Sequence, residues 1–159
     1  MSTNAQWKAG GISVTGFSHI EADIPCQDAN AYKVRRDGWL VAAVSDGAGS
    51  AKFSHIGAET YVSAVVDRFA EDPNLPEQSE DGIIADLKEV IDATTRNFVI
   101  NYVPEDEGED VSQSDFAATI KLVVQDQNRV KQPTTAQSKI PTSPQTIGSH
   151  PQFTKRFSF

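Results

Sequence analysis

A chain of 159 residues with 38% apolar content and a net charge of −8 is long enough for one domain with a real core and too short for two ordinary ones. No run of about 18 apolar residues occurs, which excludes a long apolar membrane span, and the opening MSTNAQWKAGG lacks the charged-then-apolar pattern of a leader. The charge is uneven, −12 before residue 131 and +4 from Lys131 onward, and nothing in the acidic part resembles a basic nucleic-acid surface. An acidic surface suits cations and repels anionic substrates unless bound metal reverses the local sign. The single cysteine, Cys26, cannot form an internal disulfide, so a reducing, cytoplasmic home is expected; the thiol itself reads as a small packing residue.

In chain order, ISVTGFSH (12–19) alternates loosely and predicts a strand. Two β-rich runs between residues 29 and 46 flank Asp37-Gly38, a pair suited to the positive φ of a tight hairpin turn. The second run, Trp39 to Val44, is almost wholly apolar, the pattern of a strand covered on both faces. From about Ser54 the residues Ala58, Tyr61, Val62, Val65 and Phe69 fall on one helical face. The proline-containing DPNLPEQSEDG ends that helix, and Asp81 is a candidate cap for a second, whose buried stripe is Ile84, Leu87, Ile91, Thr94 and Phe98. The acidic loop 104–115 follows, with Glu105 to Asp110 read as solvated, and then a strand, FAATIKLVV (116–124). After Val130 the chain is rich in Pro, Ser, Thr and Gln and has no sustained period, so 131–159 is expected to be a disordered or aberrant tail, its Phe153, Phe157 and Phe159 notwithstanding.

The resulting class is α/β in the mixed α+β sense: a largely antiparallel sheet with helices on one face and another face still to be covered. One stretch asks for chemistry. In AAVSDGAGSAKFSHIGA (42–58) an apolar strand ends at Asp46-Gly47, and a carboxylate at a strand end is either part of a turn or an oxygen ligand for a hard cation. His55, at the helix start just beyond, reads as a capping or surface residue.

Three segments in order, GFSHIEADIPCQDANA, VAAVSDGAGSAKFSHIGA and SDFAATIKLVV, resemble the metal-dependent PPM or PP2C-type protein serine/threonine phosphatases, closest to the bacterial branch that opens Gly-x-Ser-His. The resemblance runs from about Ile12 to Val124. It implies an αββα sandwich with a pair of Mg²⁺ or Mn²⁺ ions between two sheets. It further implies hydrolysis of phosphoserine or phosphothreonine in a phosphoprotein substrate by a metal-bound water, without a phosphoenzyme. Asp46 matches the family's bridging ligand, Gly47 its carbonyl neighbour, and Asp28 in CQDA the acidic position on the preceding strand, where Gln27 stands in place of a frequent Glu.

Two departures stand out. No Arg precedes Lys33, although many relatives clamp the phosphate with a first-strand Arg; His19 stands roughly there and is, with Asp46, a catalytic candidate, an ordinary strand histidine being the alternative. The family's later aspartates find no counterpart after FAATIKLVV, so residues 10–130 read as the N-terminal portion of a phosphatase domain, incomplete at its C-terminus. Two other readings stay open: an inactive, truncated phosphatase-like fragment, and a regulatory module that binds phosphopeptides. A half-built sheet also implies self-association through exposed edges. No nucleic-acid or membrane partner is expected.

Overall fold

The structure is a computed structural model. It describes residues 7–102 and 111–127, and beyond these the backbone of 134–139 and 155–158. A short helix α1 (Phe17–Glu21) leads into β1 (Asp28–Val34), β2 (Trp39–Gly47), the long helices α2 (Ser54–Glu71) and α3 (Glu80–Asn101), and β3 (Ala118–Asp126). Two further strands, β4 (Thr134–Lys139) and β5 (Lys155–Ser158), complete a sheet of order β1-β2-β3-β4-β5, antiparallel except for the parallel last pair.

The hairpin forms where Asp37-Gly38 predicts it. Gly38 takes φ +89°, where a Cβ is disfavoured, and the Arg35 N–H closes the turn on the Trp39 carbonyl at 2.8 Å. The turn fixes the register: Val34 faces Leu40, and six residues further along each strand Asp28 faces Asp46. Alternation then sorts the strands. Ala29 and Ala31 of β1, Val41 and Ala43 of β2, and Ala118, Ile120, Leu122 and Val124 of β3 turn toward α2. The expected stripe of α2 is buried in full, with Val66 added. On α3, Ile83 joins Ile84, Leu87 and Ile91, and Thr95 rather than Thr94 is buried, its hydroxyl shared with Tyr61 at 2.9 Å. The cap of α3 is Ser79, which accepts from the Gly82 N–H at 3.1 Å, while Asp81 sits in the first turn.

Three expectations need correction. Residues 12–16 form no strand and Phe17 onward is the helix α1; Ile12 and Val14 are 85% and 70% exposed, because alternation alone does not make a strand that has no neighbour to pair with. The last core strand starts at Ala118, since a short 3-10 turn takes Gln113–Phe116 and buries Phe116 against Phe98 with rings stacked 4.5 Å apart. Strands β4 and β5 lie where no strand was expected after Val124; main-chain hydrogen bonds extend a sheet without an apolar period. The acidic run Glu105 to Asp110 falls outside the described residues.

The apolar run Trp39 to Val44 is covered on one side only by described elements. Tyr32, Val34 and Val44 on the opposite side remain 43%, 38% and 51% exposed. No helix among the described residues is long and apolar enough to cross a membrane.

Candidate metal centre

The open face carries the chemistry. Residues paired across antiparallel strands share a face, so the register reads off its rows: Asp28–Asp46–Thr119, then Asn30–Val44–Lys121, then Tyr32–Ala42–Val123. Asp28 opens β1 and Asp46 stands one residue before the end of β2. Directly opposed residues place their Cβ atoms about 5 Å apart, so the two carboxylates stand side by side and exposed. Like charges so placed repel each other, and a cation between them removes that penalty. Thr119 adds a hydroxyl to the same row and donates to the Asp46 carbonyl at 3.4 Å, while the Ser45 hydroxyl donates to the Thr119 carbonyl at 2.6 Å from the opposite face.

Gly47 is buried, and packing explains its missing side chain. Its N–H donates to the Gln27 carbonyl at 2.9 Å, and a Cβ would lie 2.9 Å from that same oxygen and from the Cβ and carbonyl oxygen of Ser54. The start of α2 therefore presses directly on the strand end that bears Asp46. The connecting loop is held by main-chain bonds, Ala48 N–H to the Ala117 carbonyl at 2.8 Å and Phe53 N–H to the Asp115 carbonyl at 2.7 Å. The carboxylate of Asp115 accepts from the Ser112 N–H and hydroxyl, and these bonds hold its pKa below the ordinary carboxylate value. The first turn of α2 has neither a side-chain cap nor an acidic residue, and His55 lies within it, half-buried.

The structure thus brings Asp28, Asp46 and Gly47 together at one end of the sheet. His19 lies on α1 with its main chain bonded to Gly16 and Ile24, and no hydrogen bond or ion pair among the described residues links its ring to either aspartate. The Cys26 thiol donates weakly to the Asp28 carbonyl at 3.5 Å. Thr119 and Lys121 were not singled out in the sequence. The alternation of ATIKLVV was the available signal, since it places both opposite Ile120 and Leu122.

Two exposed carboxylates and a hydroxyl are all oxygen donors, the set a hard divalent cation takes. In donor chemistry the residues fit Mg²⁺ or Mn²⁺. Among the described residues no group of three or more His, Cys, Asp or Glu side chains surrounds the position, so two carboxylates form its charged core.

A family model described as Protein phosphatase 2C matches residues 15–132, a span that includes the aspartate pair and the three core strands. No curated protein and no solved structure gives a significant match.

Proposed function

The chain belongs to the protein phosphatase 2C family, and from that premise we propose that it hydrolyses phosphoserine or phosphothreonine in protein substrates, with Asp28 and Asp46 holding Mg²⁺ or Mn²⁺. The observation that carries this reading is the direct pairing of Asp28 with Asp46 on the open face. A divalent ion there, when bound, supplies a Lewis acid beside the phosphoryl group and lowers the pKa of a nearby water. The chain's own part is positional. The hairpin holds the two carboxylates at a fixed spacing, and the packing of Ser54 on Gly47 fixes the end of β2 on which Asp46 stands. The main-chain carbonyl of Gly47 and the imidazole of His19 belong to the same proposal, as neighbour of the ions and as partner of the phosphate. A cytoplasmic location, where Cys26 stays reduced, goes with this reading.

A second reading, a phosphatase-fold module that holds phosphopeptides without turning them over, is favoured by the small number of described carboxylates around the pair.

Mn²⁺ titration by calorimetry, together with turnover of a chromogenic phosphate ester, separates the two. Asp46→Asn should weaken Mn²⁺ binding by tenfold or more on an order-of-magnitude basis, against no change for Asp92→Asn on the exposed side of α3. Equal effects of the two substitutions would remove the site assignment. Mn²⁺ binding without Mn²⁺-dependent turnover would favour the second reading.

A further inference from the structure

We propose that Lys121 binds the phosphoryl oxygens of the substrate at this site, an inference that rests on the phosphatase reading. A phosphate monoester is a dianion at neutral pH, and here it must approach two carboxylates on a chain whose first 130 residues carry a net charge of −12. Metal bound at the aspartates offsets that repulsion, and a cation on the protein beside the ester would offset more of it. The first-strand arginine that many relatives use is absent, since no Arg precedes Arg35.

Two cations of the hairpin are engaged elsewhere. Lys33 points to the helix side, where its ammonium lies 2.8 Å from Asp67, a hydrogen bond that raises its pKa. Arg35 forks onto Asp37, at 3.0 Å from Nε and 2.6 Å from Nη2, and donates to the Phe69 and Asp72 carbonyls. Lys121 differs on both counts. Among the described residues of β1, β2 and β3 it is the one cation on the face that carries the aspartates. Its side chain is exposed and makes no hydrogen bond or ion pair with a described residue.

Its placement is firm. Ile120 and Leu122, at 0% and 1% exposure, lock the flanking positions into the core, so Lys121 cannot turn to the helix side. It pairs with Val44 and is therefore the diagonal neighbour of Asp46, about 7–8 Å away along the sheet. A four-carbon stem spans that gap, so the ammonium can reach a group held at the carboxylates.

The test is a titration of the full chain with inorganic phosphate, followed by ³¹P line broadening and calorimetry in saturating Mg²⁺. Lys121→Gln should bind phosphate about ten- to a hundredfold more weakly than the native chain, the effect of losing one hydrogen bond from a charged donor. Lys121→Arg, which keeps the charge, should restore most of the affinity. The thermal transition should not move, because the side chain is exposed. Equal phosphate affinity in the native chain and Lys121→Gln, or no phosphate binding by the native chain, would overturn the role of Lys121. Mn²⁺ uptake at Asp28 and Asp46, measured separately by electron paramagnetic resonance, decides the metal reading on its own, so failure of one reading is distinguishable from failure of the other.

Discussion

At the scale of single residues the most constrained position is Gly47. Its glycine identity follows from contact: two carbonyl oxygens and the Ser54 Cβ stand 2.9 Å from where a side chain would begin. Gly47→Ala must push α2 away from the end of β2 or bend the strand, and such overpacking costs about 1–3 kcal/mol. The expected result is a thermal midpoint lowered by several degrees together with weaker Mn²⁺ binding, because the displaced strand end carries Asp46. An unchanged melting curve would show that the helix start yields freely. Ser54 bears on the same contact from the other side. Its hydroxyl is fully buried with no hydrogen-bond partner among the described residues, so close fit at this corner takes precedence over polar satisfaction.

At the scale of elements, the β1–β2 hairpin couples a surface ion pair to the geometry of the site. The hydrogen bond from Arg35 is the chief reason the Asp37 carboxyl titrates below its ordinary range, with desolvation opposing it. A carboxylate held low in the folded state stabilises the fold at pH above its unfolded value of about 4, and that contribution disappears as pH falls through the lower folded value. The stability difference between the native chain and Asp37→Asn should therefore be constant above about pH 5 and shrink as pH falls below about 4. A pH-independent difference in urea unfolding would show that the pair contributes nothing. Because both groups are partly solvated, the effect is small. This hairpin was also the most legible element in the sequence, since Asp37-Gly38 is a local turn signal between two β-rich runs. The segment 12–19 differs for the opposite reason: a strand is made by a paired neighbour, and this stretch has no strand paired with it among the described residues, only the side-chain hydrogen bond from Asn30 to Ser13 at 2.8 Å. The aspartates were legible through the family motifs, whereas Lys121 required the parity of β3, which becomes meaningful only once the buried face is known.

At the scale of the whole molecule, one side of the sheet is a finished core and the other is a mixed surface, with exposed Tyr32, Val34 and Val44 beside Asn30 and Lys121 and the two acids at its end. Val41, Tyr61, Phe69, Leu87, Ile120 and Leu122 are closed to solvent, while Tyr32, Val34 and Val44 on the reverse side are not. Self-association through that face is the expected behaviour of the isolated chain, seen as concentration-dependent sedimentation and binding of a hydrophobic dye. Val44→Glu should reduce both while leaving the melting curve in place, since Val44 is 51% exposed and contributes little to the core. A monodisperse native chain, or association indifferent to Val44, would contradict this. The hairpin register has one more consequence, for how such a site changes over time. The spacing between Asp28 and Asp46 is counted in whole residues from the Arg35–Gly38 turn, so it moves in steps and never by degrees. Removing one residue inside β1 would point Asp28 into the helix layer; removing two would return it to the open face but opposite Val44. Lengthening the turn itself leaves the count untouched wherever the strands stay paired. Lineages carrying this site should accumulate insertions at the turn and almost none within the two strands.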